Sequence, residues 1–204
     1  MFNFTKYFLD ITDIVESPTS YLEWASYVVL SSVLRSNIYY DFPSRGTKVC
    51  PNIFVLLVGD SGGTRKSTPL KLANKLVKAI SNTKLVEGRA SIQGIIKELG
   101  SVTRLGELIL KDGAALVYSE EFSASLVRDK ETTGILCDLY DYHEEYKYLL
   151  KTEDPLKVTN LCMTLFSATN AAFLDSLFTK EDLFGGFVGR TFFIIEERAR
   201  KKNL

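Results

Sequence analysis

The 204-residue chain has one histidine, three cysteines and no surplus of either charge, with 25 basic and 25 acidic residues. Each shortage excludes something. Cys50, Cys137 and Cys162 lack metal-ligand spacing and lie in apolar neighbourhoods, so they read as buried free thiols of a reducing compartment rather than a zinc site or a disulfide framework. The single histidine, His143, stands beside Glu144 and Glu145 and reads as a solvated loop residue, not a catalytic base. Zero net charge excludes a surface broadly coated for nucleic acid, while leaving room for a local basic track. No apolar run approaches the ~20 residues of a membrane-spanning helix, the longest candidate being "YVVLSSVL". The N-terminus, "MFNFTKYFLDITDIVE", has no basic region followed by an apolar core. The expectation is a cytoplasmic protein without a membrane partner. No Pro/Gly linker, repeat or low-complexity tract divides the chain.

What is present begins with a hydrophobic content of 46%, ample for a sizeable core in a chain of one-domain length. Residues 19–36 are apolar all round and predict a mostly buried helix, with Ser20 as N-cap and Glu23 completing a capping box. Residues 37–50 predict a hairpin, "NIYYDF" and "TKVC" around "PSRG". Short continuous apolar runs follow at 53–58, 114–118, 161–166 and 191–195, the pattern of strands covered on both faces. Between them lie helix-like segments: "PLKLANKLVKAIS", with Leu72, Leu76 and Ile80 on one stripe and Lys71, Lys75 and Lys78 turned elsewhere; "SIQGIIKELG", with a Ser91 cap and a glycine stop; and "TGILCDLYDY". Strands alternating with helices imply an α/β fold with a parallel sheet. Residues 145–160 break the rhythm and predict a β-hairpin just before the strand at 161.

Four segments carry chemistry. The first, "NIFVLLVGDSGGTRKSTPL", is a strand, a glycine-rich turn and a helix start, the arrangement of a phosphate-binding P-loop. Glycines let backbone N–H groups face a phosphate, the helix N-terminus adds its positive end, Lys neutralises charge and the following hydroxyl ligates Mg²⁺. The nucleotide-binding set is Gly59, Gly62, Gly63, Thr64, Arg65, Lys66, Ser67 and Thr68. Two departures stand out. Lys66 is seven residues after Gly59, where the motif has six, and Arg65 stands where a glycine usually precedes the lysine. Second, "AALVYSEEF" ends a strand in two acids, Glu120 for the metal and Glu121 for the attacking water. Third, "LCMTLFSATNAAF" ends a strand in polar residues, of which Asn170 first and Thr169 second would orient that water; either could instead cap the next helix. Fourth, "FGGFVGRTFFIIEE" sets Arg190 on a glycine-rich turn before the last strand, a candidate arginine finger for a neighbouring subunit's nucleotide. The order of the four argues for a working loop that is one residue longer than the norm.

On these motifs residues 20–196 resemble the P-loop ATPase domain of phage- and plasmid-encoded primase–helicase proteins, a family catalogued as a domain of unknown function. The resemblance implies a three-layer P-loop core of five mainly parallel strands, AAA+-like first and RecA-like second, over 51–204, with residues 1–50 as an N-terminal helix-and-hairpin extension packed on it. It implies ATP and Mg²⁺ as ligands, a hexameric ring, and single-stranded DNA gripped by the 145–160 hairpin through Lys147, Lys151 and Lys157, with Tyr146 or Tyr148 against sugar or base. Glu144, Glu145, Glu153 and Asp154 weaken that electrostatic case. No helical lid follows "TFFII", so the sequence reads either as an excised domain or as a minimal ATPase. The competing readings are a non-hydrolysing nucleotide-binding assembly module and a small-molecule or nucleotide kinase; the scarcity of arginine between Arg104 and Arg190, apart from Arg128, counts against the kinase.

Overall fold

The computed structural model describes residues 2–44, 46–88, 90–101, 103–105, 108–110, 112–122, 130–150, 154–177 and 186–200. Two helices open it, α1 (Phe4–Ile11) and α2 (Thr19–Leu34), followed by an antiparallel pair, β1 (Tyr40–Phe42) and β2 (Thr47–Val49). Then come β3 (Phe54–Val58), α3 (Ser67–Ile80), β4 (Lys84–Glu87), α4 (Ile92–Gly100), a small pair β5 (Thr103–Leu105) and β6 (Leu108–Leu110), and β7 (Ala114–Ser119). The remainder is α5 (Lys130–Tyr140), β8 (His143–Tyr148), β9 (Leu156–Thr169), α6 (Ala171–Leu177), α7 (Phe187–Arg190) and β10 (Thr191–Ile195). Among the described residues no helix is long and apolar enough to cross a membrane.

The main sheet runs β10-β3-β9-β7-β4, each neighbour parallel to the next. Its strands are apolar without interruption because both faces are covered. Val55, Leu57, Leu116, Phe166 and Ala168 pack against α1, α2 and α3, while Phe54, Leu56, Ala115, Val117, Met163 and Leu165 pack against α4, α5 and α7. The α/β architecture with a mainly parallel sheet is therefore as expected, and helix α2 contributes Tyr21, Leu22, Ala25, Val28 and Val29 to the same core cluster as β3.

The 145–160 hairpin is present, but its second arm does not stop before the strand at 161. It runs on as one 14-residue strand, β9, whose first part pairs antiparallel with β8 and whose last part lies between β7 and β3. The change of partner coincides with Asn160, which takes the left-handed conformation (φ 52°) that asparagine tolerates better than most residues.

Three local expectations are corrected. Ser20 is not the cap of α2: Pro18 occupies the boundary, the Ser20 hydroxyl donates to Glu196 Oε1 (2.6 Å), and Glu23 accepts from Tyr27 one turn on, so no capping box forms. The buried stripe of α3 is Leu70, Ala73 and Val77; Leu72 and Leu76 are half-buried and Ile80 is exposed. A strand went unseen at 84–87. Its leading Lys84 is buried because Nζ donates to the carbonyls of Leu99 (2.7 Å) and Ser101 (2.5 Å), capping the end of α4. Helix α1 and the β5–β6 pair carried no predicted element either. The Ser91 cap of α4 is as expected, accepting from Gly94 N at 3.1 Å.

The α3 correction has a direct consequence. Leu70→Ala should cost about 2–5 kcal/mol of unfolding free energy in urea titrations, whereas Ile80→Ala should stay within roughly 0.5 kcal/mol.

Candidate functional site

In a parallel sheet every carboxyl end lies on one edge, and ligands of open α/β sheets bind outside that edge. Here β3 delivers the glycine loop, β7 the two acids and β9 the Ser-Ala-Thr-Asn segment to the same edge. Because β9 is inserted between β3 and β7, loop and acids stand two strand spacings apart, roughly 10 Å. The space between is a cavity of about 550 Å³ lined by Ser61, Gly62, Arg65, Lys66, Ser67, Thr68, Glu120, Glu121, Thr169, Asn170 and Phe173.

Within it the Ser67 hydroxyl hydrogen-bonds the Glu120 carboxylate, which also accepts from Tyr118 OH (3.1 Å) and pairs with Lys71 Nζ (3.3 Å). Partial burial pushes the Glu120 pKa up, but the Ser67, Tyr118 and Lys71 contacts outweigh it and the net shift is downward. Lys66 turns its ammonium onto the carbonyls of Gly59 and Asp60, the latter at 3.0 Å, and burial lowers its pKa against the opposing pull of Asp60. Glu121 lines the cavity with its carbonyl and amide tied to the Ser119 hydroxyl at 3.0 and 3.3 Å.

The two candidates at the end of β9 divide their work. Asn170 caps α6, its Oδ1 accepting from Ala172 N at 3.1 Å, and it lines the cavity as well. Thr169 is buried, and its hydroxyl lacks a hydrogen-bond partner while the residue lines the cavity wall. A buried hydroxyl without a partner costs on the order of 1–3 kcal/mol, so Thr169 is the better placed of the two to meet a bound water or phosphate oxygen.

The loop accommodates its irregular sequence in a specific way. Arg65, in the usual glycine position before the lysine, takes φ 53°, the left-handed region in which glycine is at ease and other residues are strained. Gly62 has φ 75° with open space where a Cβ would stand. Gly59 is needed for the opposite reason: a Cβ there would lie 2.7 Å from Glu196 O, Thr64 Oγ1 and Tyr21 OH at once. Tyr21, fully buried under the loop, donates to Val58 O (2.5 Å), and burial first, partly offset by its contact with Thr64, pushes its pKa up to about 12.

Arg190 is elsewhere. It precedes Thr191, which pairs with Phe54 at the amino end of β3, so it lies at the opposite edge of the sheet from Lys66. Its Nη2 pairs with Asp141 Oδ2 at 3.2 Å and its Nη1 donates to Gly186 O at 3.3 Å. It cannot serve its own chain's loop. The hairpin occupies the same amino edge. Lys147 and Lys157 face each other across its ladder, both exposed, with Lys147 paired to Glu145 at 2.8 Å. Tyr146 and Tyr148 are half-buried and pack against the core cluster. Lys151, Glu153 and Arg128 lie outside the described residues. Cys50 and Cys162 are buried against each other and Cys137 is half-buried, all three as free thiols; His143 Nε2 contacts Asp138 O at 3.1 Å.

Among the described residues no group of three or more His, Cys, Asp or Glu could hold a metal by itself. The donors that do converge, the Ser67 hydroxyl and the Glu120 carboxylate, are hard oxygens that suit Mg²⁺ when phosphate and water complete its shell. No family model matches this chain, and no curated protein matches it.

Two outcomes follow. Gly59→Ala should cost about 1–3 kcal/mol in thermal or urea unfolding, as overpacking does, whereas Gly63→Ala, whose Cβ would meet nothing closer than 3.8 Å, should fold like the parent. Glu120 carries a depressed pKa, so the stability it contributes is present above the ordinary glutamate range and lost as pH falls through its folded value. Glu120→Gln should therefore flatten the acid limb of a plot of urea midpoint against pH and leave the neutral region little changed.

Proposed function

We propose that the chain is a Mg²⁺-dependent P-loop ATPase of the AAA+ type that works as an oligomer, a hexameric ring, on DNA in the replication of a phage or mobile element. The observation that carries this reading is the convergence of Lys66, Ser67, Glu120, Glu121 and Thr169 on one cavity at the carboxyl edge, with Ser67 and Glu120 hydrogen-bonded. The strand order supports it by bringing the ends of β3, β9 and β7, and so the loop, the polar segment and the acids, side by side on one edge.

The roles follow from chemistry. Lys66, now satisfied by two loop carbonyls, would exchange them for the β- and γ-phosphate oxygens, which carry full negative charge and so attract the ammonium more strongly than neutral carbonyls do. Mg²⁺, held by Ser67 and Glu120 with the nucleotide, supplies neutralisation of phosphate charge. Glu121 accepts a proton from, or orients, the attacking water; Thr169 and Asn170 fix the water's position. Arg190, at the far edge, serves the nucleotide of an adjacent subunit after releasing Asp141. Lys147 and Lys157 contact DNA phosphates: like charges set directly opposite on a ladder destabilise it, and an anion between them removes that penalty.

One observation favours the alternative of a nucleotide-binding assembly module without turnover. Lys66 and Arg190 are both engaged by their own chain. Steady-state ATP hydrolysis with Mg²⁺, with and without single-stranded DNA, separates the two. The motor reading expects turnover that rises with DNA, is lost in Lys66→Ala and falls roughly 10²–10⁴-fold in Glu121→Gln. Lys147→Ala combined with Lys157→Ala should abolish the DNA stimulation and leave the basal rate. Binding without turnover would establish the assembly module.

A further inference from the structure

The segment after β10 returns to the loop. Glu196 N donates to Val58 O at 3.0 Å, so the chain continues along the end of β3, and Ala199 N donates to Gly63 O at 3.0 Å. Opposite, the turn between α1 and α2 holds the same loop from its other side: the Ser17 hydroxyl donates to Arg65 O (2.9 Å) and Glu16 pairs with the Arg65 guanidinium (3.1 Å). The two segments are also tied to each other by one residue. Arg200 donates from its backbone to Glu16 O (2.7 Å), from Nε to Ser17 O (2.6 Å), from Nη2 to Val15 O (2.7 Å) and from Nη1 to Thr19 Oγ1 (3.2 Å), and Nη1 pairs with Asp13 at 3.4 Å. Ser20 adds the bond to Glu196 at 2.6 Å.

These contacts fall where the loop is irregular. The loop has one residue more than the motif, so one additional peptide must be turned out of the phosphate-facing curve and its carbonyl satisfied elsewhere. Two loop carbonyls are satisfied from outside the loop, Gly63 O by Ala199 N and Arg65 O by the Ser17 hydroxyl. Arg65 is strained at φ 53°, and a non-glycine residue persists there only when its surroundings fix it. The Ser17 and Glu16 contacts supply that fixing.

We propose that Arg200, with Ala199 and Ser17, is a positioning residue for the lengthened phosphate loop: it locks the segment after β10 to the α1–α2 turn, and the two together clamp the loop in the shape that presents Lys66 and Ser67 to a nucleotide. The proposal rests on the nucleotide-binding reading for its consequence and on geometry alone for the clamp. It makes the stretches before α2 and after β10 working parts of the site.

The test compares the parent with Arg200→Ala, Arg200→Lys and Ala199→Pro, which deletes the single N–H that reaches Gly63. Hydrogen–deuterium exchange without nucleotide is expected to accelerate at least about tenfold across residues 60–66 in Arg200→Ala, as loss of charge-assisted bonds implies, while the amides of α4 keep parent protection. Affinity for a fluorescent ATP analogue should fall by a similar factor, and KM should rise while kcat at saturation stays within about twofold. Arg200→Lys, which keeps the charge but not the fork, should fall between the two. Exchange in 60–66 unchanged in both Arg200→Ala and Ala199→Pro overturns the clamp. A loosened loop with unchanged affinity overturns the positioning role. Acceleration spread evenly over the molecule marks Arg200 as a general stability residue and likewise overturns it. A parent that binds no nucleotide defeats the ATPase reading and the positioning role with it, and the exchange data still decide whether the clamp holds the loop.

Discussion

A Cβ at residue 59 would stand 2.7 Å from three oxygens, the Glu196 carbonyl, the Thr64 hydroxyl and the Tyr21 phenol. Those oxygens belong to three separate stretches: the segment after the last strand, the loop itself and the second helix. The end of β3 is thus the point where all three reach contact, and a backbone without a side chain is what lets them. Tyr21 can donate to Val58 O, Glu196 N can donate to the same carbonyl, and Thr64 can turn its hydroxyl to Asp60 O because nothing occupies the space between them. Remove that close approach and the loop loses its floor on one side and its tether on the other.

The sheet order then determines what the loop can face. With β9 between β3 and β7, the strand ends from which loop and acids emerge stand two spacings apart, roughly 10 Å, and the end of β9 supplies polar groups in the middle. Neither acid is drawn into a permanent ion pair with Lys66. Glu120 is instead committed to Ser67 and Lys71 at the start of α3 and to Tyr118 on its own strand, and these contacts favour its ionised form. Among the described residues three buried side-chain atoms lack a hydrogen-bond partner, Ser32 Oγ, Asn74 Oδ1 and Thr169 Oγ1, and of these Thr169 lines the cavity.

Much of this could be read from the sequence because the strands are short, continuous and apolar, and each ends in a recognisable polar cluster. Runs 53–58, 114–118 and 191–195 became strands within a residue of their expected bounds. What escaped was decided by tertiary contacts. Strand β4 has a lysine at its start, and only the carbonyls of Leu99 and Ser101, remote in the chain, make that lysine's burial tolerable. Ser20 has a cap's identity but sits beyond the proline that ends the preceding turn, so its hydroxyl serves Glu196. The α3 stripe was misread because Leu72 and Leu76 cover the rim of the core, whereas the smaller Ala73 lets α2 approach. The motifs brought together at the cavity were legible; the clamp of Arg200, Ser17 and Ala199 was not, since Ala199 reaches the loop through its backbone N–H and both loop acceptors, Gly63 O and Arg65 O, are backbone carbonyls without a side-chain signature.

Three basic groups toward the amino edge are partnered by acids of their own chain: Arg190 by Asp141, Lys147 by Glu145 and Lys48 by Glu144. In the proposed motor, such pairs are where a neutral chain would meet an anion. Exposed pairs of this kind contribute about 0–1 kcal/mol, so exchanging a carboxylate for a phosphate of stronger field costs little, and the released acid simply returns to water. The exchange would be felt at the opposite edge through one covalent element. Strand β9 begins in the hairpin beside Lys157 and ends at Thr169 in the cavity wall, without a loop between and with a single left-handed bend at Asn160. A displacement of the hairpin therefore need not be relayed from one side chain to the next; it moves the same strand that holds the unpartnered Thr169 hydroxyl, and any coupling between DNA and nucleotide in the proposed motor has its shortest route there.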